Sequence, residues 1–457
     1  MVVTRFVDRE KELKLLRTAW QSRPLLIVVY GRRRIGKTRL ILEWCKRSRI
    51  NYVYYHAIPA KHDVNLMGLA RAIETSLKLR NFSKIKYGAL DSLLEVLSYR
   101  IDDVVIIIDE FTYWARAEPR VVGELQRFVD NILRETKMMI IIIGSLVGVM
   151  YRSVIGGGAP LYGRARYRIR LEELEPWFMS SFYPWLSRED WIRLYALLGG
   201  VPYYHSLVNG QWDISTIILK LLLEPNAPLR DEVLFILREE FRDPASYYSI
   251  LKAIADGANT PSKVADYTGI HRQHVSKYLS VLEQLGFVKK EKPLFSKKGV
   301  YKVSDKLMNT WFKLVEPIVS SIGFTDTTIL LEKVMSRIDQ HVAGVFEDEI
   351  ARKYVSWLAV NGRIRYDELG RFVHKGVEVD LVAVDHRNKI LHLFEVKWTD
   401  ISRSEAKNIV RRLSSASRYI PLEYNMVYHL IARNYHGEAL DNIVVHTIHD
   451  MPFREHR

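Results

Sequence analysis

PLLIVVYGRRRIGKTRLILEWCK, residues 24–46, is the stretch on which the fold turns. Pro24 to Tyr30 is a continuous apolar run, the pattern of a strand buried on both faces, and Thr38 to Lys46 follows with helix-forming residues. Between them, Gly31-Arg32-Arg33-Arg34-Ile35-Gly36-Lys37-Thr38 fits G-x-x-x-x-G-K-[ST] in the strand-to-helix setting that the motif requires. The two glycines let the backbone curl so that amide groups and a helix amino terminus face phosphate oxygens. Lys37 is expected to neutralise the β and γ phosphates of ATP and Thr38 to ligate magnesium, with Arg32, Arg33, Arg34, Ile35 and Arg39 completing the cradle.

Working outward, Val104 to Ile108 reads as a second buried strand and ends in Asp109-Glu110. Asp109 is placed to hold the magnesium shell and Glu110 to polarise the attacking water, so the pair predicts hydrolysis as well as binding. A third strand, Met138 to Ile143, delivers Ser145 as a candidate sensor of the γ-phosphate. Pro160 to Arg164 precedes a strand-like stretch, Arg166 to Leu171; Arg164 is a candidate for stabilising transition-state charge, with Arg166 beside it.

The composition, 48% hydrophobic and 26% charged, is that of a globular chain, and 457 residues suggest about three or four domains at roughly 100–200 residues each. No run approaches the roughly 18 apolar residues of a membrane span; Met138 to Met150 is interrupted by Gly144, Ser145 and Gly148. Arg5, Asp8, Arg9 and Glu10 stand where a signal peptide would need an apolar stretch, so a cytoplasmic location is expected. One cysteine, Cys45, excludes an internal disulfide and a multi-cysteine zinc site. A formal charge of +15 makes polyanions plausible partners.

The phosphate loop, Phe6-Val7-Asp8-Arg9-Glu10, Pro160 to Arg164 and Gly199-Gly200-Val201-Pro202-Tyr203 together resemble the archaeal ATPase family, an AAA-related branch of P-loop proteins with STAND-like neighbours. The resemblance implies a five-stranded parallel core, a small helical lid from about Leu171 to Leu223, and Phe6 to Glu10 near the adenine. Composition alone makes Asp8 a helix N-cap, with Leu13, Leu16 and Trp20 on an apolar face.

From Pro244 to Ser304 the pattern becomes three short helices and a hairpin, a helix-turn-helix with a wing. The third helix carries Arg272, Gln273 and Lys277 on its outer side and Val275, Leu279 and Leu282 on its inner one; Lys289 and Lys290 on the hairpin are placed for phosphate contacts. DNA is the expected partner, a protein partner or a second copy of the chain the alternative. Asp305 to Ile318 reads as a helix covering apolar surface.

Val377 to Asp385, a polar turn, and Ile390 to Trp398 read as a hairpin. If Asp385 pairs with Ile390, Asp380 falls opposite Glu395, and the period of two puts Lys397 on the same face. Facing carboxylates repel unless a cation lies between them, which asks for magnesium. This constellation resembles the PD-(D/E)xK nuclease superfamily; the resemblance makes Glu347 the accessory metal-binding acid, Asp380 and Glu395 metal ligands, and Lys397 the residue that positions water. Arg403, Lys407, Arg411 and Arg412 recur on a following helix that could track a phosphate backbone.

The expectation is an α/β multidomain chain: a P-loop core over 1–170, a helical lid over 171–235, a winged helix over 236–325 and a restriction-endonuclease-like domain over 326–457. Function follows as an ATP-driven, magnesium-dependent switch that engages DNA and cleaves it. The alternative is a nucleotide-controlled regulator or scaffold whose distal domains only bind.

Overall fold

Val105-Ile-Ile-Ile-Asp109 and Met139-Ile-Ile-Ile-Ile-Gly144 have no polar side chain to show to water until their last residues, and both are buried along their length. In the computed structural model, which describes residues 6–151, 154 and 156–454, they are the inner strands of a five-stranded parallel sheet. Arg5 lies outside the described residues. The strands are β1 (Leu25–Tyr30), β2 (Tyr52–His56), β3 (Val105–Asp109), β4 (Met139–Gly144) and β5 (Ala165–Arg170), in spatial order β2-β3-β4-β1-β5. Tyr30 pairs with Gly144, Ile108 with Ile142, and His56 with Asp109, so the ends that carry the polar residues share one edge. Parallel strands require crossovers, and the helices that supply them bury leucines and aromatics against the sheet.

This core, with Val201–Tyr203, forms one compact unit; Leu174–Gly200 and the chain from Tyr204 form a second. In the second unit the helix Arg188–Leu198 is tied to its surroundings: Thr310 donates to the Leu197 carbonyl at 2.8 Å, and Arg193 pairs with Asp339 at 3.0 Å. Helices Pro244–Ala255, Pro261–Thr268 and Arg272–Leu285 follow, each of the first two opening on a proline at its first position, where the missing N–H costs nothing. Gly269 ends the second helix at φ 70°, the left-handed conformation that glycine accepts without strain. Two antiparallel strands come next, β6 (Val288–Glu291) and β7 (Val300–Val303). Asp305 caps a helical run in which Leu307, Trp311, Phe312 and Leu314 are buried, as the sequence suggests, although its middle widens to π-helix and its end tightens.

The chain ends in a second five-stranded sheet, order β12-β11-β10-β9-β8, of β8 (Glu368–His374), β9 (Val377–Asp385), β10 (Ile390–Ser402), β11 (Asn425–His436) and β12 (Val444–Thr447). β8, β9 and β10 are antiparallel neighbours, while β10, β11 and β12 run parallel. A helix, Arg403–Ser417, crosses between β10 and β11; its start is fixed by a reciprocal capping box of Ser402 and Glu405. Among the described residues no helix is long and apolar enough to cross a membrane. Cys45 is buried, and burial pushes its thiol up to about 12, so it packs as a small apolar group.

Candidate nucleotide site and a second acidic centre

Gly31, at φ 147°, sits where a Cβ would lie 2.5 Å from the Leu171 carbonyl oxygen, which explains why the loop starts with glycine. Gly36 at φ 93° and Arg34 at φ 64° complete the curl, and Lys37 opens the helix Lys37–Ser48. The Lys37 ammonium is buried and donates to the carbonyls of Gly31 at 3.0 Å and Arg32 at 2.8 Å. The loop's own carbonyls therefore hold the charge that phosphate oxygens would attract.

Asp109 gathers three donors. Thr38 Oγ1 donates to its Oδ2 at 2.6 Å, Tyr54 Oη donates to the same oxygen at 2.8 Å, and the Glu110 amide donates to Oδ1 at 2.8 Å. A hydroxyl and a carboxylate so close together are the hard oxygen donors that magnesium takes, so Thr38 and Asp109 fit the ion. Glu110 lies at φ 50°, a strained position for a non-glycine residue, and accepts from the Ser145 hydroxyl at 2.6 Å and the Ser145 amide at 3.3 Å. Ser145, expected to sense phosphate, is joined to Glu110 instead.

The loop arginines point several ways. Arg32 pairs with Glu173, Arg33 donates to the Tyr113 hydroxyl, and Arg34 lies 4.4 Å from the Tyr203 ring centroid. Ile35 is buried, and Arg39 is exposed on the helix. Arg164 pairs with Asp130 at 2.7 Å and donates to the Pro160 carbonyl, contacts that do not join it to the phosphate loop; Arg166 is exposed on β5. Asp8 does not cap the first helix, Glu10–Gln21: Arg9 occupies that position at φ 72°, buried, with its guanidinium on the Glu172 carbonyl at 2.7 Å. That long-range bond outweighs the local capping preference. Leu13 and Leu16 are buried as expected, and Trp20 meets Trp44 edge to face. Sequence reasoning missed Tyr54; the aromatic run Tyr52 to Tyr55 on the outer strand was its one signal.

In the second unit, Asp385 pairs with Ile390 and the register runs to Leu381 with Phe394. One step farther the Val396 amide donates to Asp380 at 2.9 Å, which brings Asp380 beside Glu395. Lys397 lies 2.6 Å from Glu395 and 3.6 Å from Asp380. Glu347, in a widened helical turn at Phe346–Ile350, faces the same carboxylate: burial first, then the Asp380 charge, pushes it up to about 7, against the pull of Arg371. Arg371 pairs with Glu347, and Arg412 pairs with Glu395. The expected ligand set of Glu347, Asp380 and Glu395 is thus corrected in one respect. Among the described residues no three acids or histidines stand as a metal-binding group; arginines and a lysine balance the charge.

Of the residues expected to meet DNA, Arg272, Gln273 and Lys277 are exposed on their helix, whose Val275, Leu279 and Leu282 are buried. Lys290 is exposed, with its ammonium 5.6 Å from the Tyr301 ring. Lys289 departs from the expectation: it is half-buried, and desolvation lowers its proton affinity although Glu349, Asp348 and Glu291 oppose it.

Residues 6–208 match the family described as "ATPase domain predominantly from Archaea", and residues 311–409 match "Archaea bacterial proteins of unknown function". An uncharacterized protein of Methanocaldococcus jannaschii is 30% identical over 97% of this chain and 99% of its own. An uncharacterized ATP-binding protein of Pyrococcus abyssi is 26% identical over 44% of this chain and 68% of its own. Among solved structures, a Walker-type ATPase of Pyrococcus abyssi superposes with a TM-score of 0.53 at 20% identity, over 68% of this chain and 97% of that one; at that identity the likeness speaks to the fold alone.

Proposed function

Because this chain belongs to the archaeal ATPase family, with an ATP-binding P-loop domain followed by a carboxyl-terminal domain of unknown function, we propose that it is an ATP-hydrolysing switch that engages DNA and cleaves it. The observation that carries the ATPase reading is the polar network at one edge of the parallel sheet, where Lys37, Thr38, Asp109, Glu110 and Ser145 follow the ends of β1, β3 and β4.

Magnesium bound there would neutralise charge on the β and γ phosphates. Lys37 leaves the carbonyls of Gly31 and Arg32 to pair with phosphate oxygens, and Thr38 turns its hydroxyl oxygen from Asp109 toward the ion. Tyr54 keeps its hydrogen bond and fixes the Asp109 carboxylate. Glu110, released from Ser145, accepts a proton from the attacking water. Arg164 enters only if its pair with Asp130 opens, and then as a charge on the transferring phosphoryl group.

Two features support DNA as the partner. Three helices and an antiparallel hairpin in this order match a winged helix, and its third helix leaves Arg272, Gln273 and Lys277 exposed for groove and phosphate contacts, with Lys290 on the wing. Cleavage rests on the convergence of Asp380, Glu395, Lys397 and Glu347. Their carboxylates supply hard oxygens suited to magnesium once Arg371 and Arg412 turn away, and Lys397 is placed to orient water. The four-part division at residues 170, 235 and 325 belongs to this proposal, with the lid coupling nucleotide state to the distal parts.

The test is incubation of the full chain with labelled single-stranded, duplex and branched DNA, magnesium, and ATP or none, beside Asp380→Ala and Lys37→Ala. Cutting that disappears in Asp380→Ala, with DNA affinity retained, is expected. Intact DNA on every substrate while ATP is consumed would leave the regulator reading in its place.

A further inference from the structure

Lys289 on β6 stands directly across from Lys302 on β7, an arrangement of like charges that is unfavourable unless anions answer it. Lys302 is answered: its ammonium lies 2.9 Å from Glu291 and 2.5 Å from Asp348. Lys306, behind it, pairs with Glu349 at 2.7 Å. No hydrogen bond or close ion pair of the Lys289 or Lys313 ammonium occurs among the described residues, yet both line the same cavity beneath the hairpin. Four lysines against Asp348 and Glu349 leave that cavity with an excess of positive charge.

A second observation concerns His341, which lines the cavity and is 94% buried, its relative exposure being 6%. Thr310 spends its one proton on the Leu197 carbonyl, so His341 Nε2, 3.0 Å from Thr310 Oγ1 and 3.3 Å from the Ala196 carbonyl, must be the donor there. Nδ1 is then a bare acceptor, and it is buried without a hydrogen-bond partner. Burial and the Lys313 charge hold the ring neutral, pushing it down to about 4. Asn309 and Gln340 add side-chain amides that have no partner among the described residues.

The cavity therefore presents two unanswered ammonium groups and two amides to an anion, and one buried acceptor to a hydroxyl. Its volume is about 90 Å³, ample for a tetrahedral oxyanion when a water molecule takes roughly 30 Å³ of liquid. We propose that this cavity binds inorganic phosphate as its monoprotonated dianion, with Lys289 and Lys313 on the charged oxygens and the P–OH donating to His341 Nδ1. Sulfate matches the charge and shape but has no proton to donate, and a phosphomonoester dianion has none either.

The phosphate loop also attracts phosphate, so the experiment uses the full chain carrying Lys37→Ala, titrated at neutral pH with inorganic phosphate, sulfate and AMP by calorimetry and phosphorus NMR. Saturable binding of phosphate to one site is expected, with sulfate and AMP weaker by at least about tenfold. Adding Lys289→Met and Lys313→Met is expected to weaken phosphate by a further tenfold or more, and Lys289→Arg to retain most of it. Thermal melts matched to the Lys37→Ala protein establish that each variant is folded; Lys313→Met alone serves if the double change is not. Absence of saturable binding, equal affinity for sulfate, or binding indifferent to both lysines would each overturn the proposal.

Discussion

Glu110 is held in a left-handed backbone conformation that costs a non-glycine residue of order 1–3 kcal/mol, and its carboxylate is drawn onto Ser145. A residue kept in that geometry beside Asp109 is suited to changing partners when nucleotide arrives. Glu110→Gln is expected to bind ATP as tightly as the parent and to hydrolyse it about 10²–10⁴-fold more slowly, measured by nucleotide binding and by phosphate release; unaltered turnover would remove Glu110 from catalysis. Gly31 makes a different case, since its φ of 147° and the 2.5 Å approach to the Leu171 carbonyl leave no room for a methyl group. Gly31→Ala is expected to weaken ATP binding at least tenfold and to lower the melting temperature of the parallel-sheet unit, both readable in a thermal melt with and without ATP. The glycines and Lys37 are legible in sequence because the motif encodes backbone geometry. Arg164 was not, because one carboxylate from another helix, Asp130, redirects a charged side chain without any trace in local pattern.

At the scale of elements, hairpins are the best-read parts of the chain. The alternation in β9 and β10 and a four-residue polar turn sufficed to place Asp385 opposite Ile390, because a one-residue slip would turn every apolar side chain of both strands outward. What the sequence did not announce is how neighbouring strands stack their polar residues. His392, His429 and His446 fall side by side on β10, β11 and β12, linked at 2.9 and 3.2 Å, and Tyr354 closes the row at 3.2 Å. Residues so far apart in sequence meet only through parallel pairing, which period-two reasoning within one hairpin cannot reach. Burial, with the other two rings, pushes His429 down to about 2, and burial pushes His446 to about 4 although Asp450 opposes it; His392 is lowered as well. Folded values below the ordinary value of ~6.5 mean stability that is present above that value and lost as pH falls toward the folded ones, by roughly 1.4 kcal/mol per pH unit for each extra proton the unfolded chain binds. The melting transition of the second unit is therefore expected to drop between pH 7.5 and 5, and His429→Phe to flatten that slope; a slope unchanged by the substitution would assign the acid sensitivity elsewhere.

For the whole molecule, the net charge of +15 sets a long-range attraction for polyanions that says nothing about where they dock. Much of that charge is committed inside the fold: Arg371 and Arg412 answer the acids of the carboxyl-terminal centre, Lys302 and Lys306 answer Asp348 and Glu349, and Lys289 is turned inward. Lysines and arginines counted in the sequence therefore overstate those free to meet phosphates. Among the exposed ones, Arg272 and Lys277 lie on one face of a single helix, opposite Val275 and Leu279. If that helix docks on duplex DNA, each lost phosphate contact lowers the slope of log K against log salt by about 0.9. Replacing Arg272 and Lys277 with alanine is expected to reduce the slope by up to about 2 and to weaken binding most at low salt, in fluorescence titrations from about 50 to 200 mM salt. Replacing Lys289 is expected to leave the slope unchanged, because its ammonium faces the cavity and not the solvent. The reverse result, a slope set by Lys289 and indifferent to Arg272 and Lys277, would move the DNA surface from the recognition helix to the hairpin.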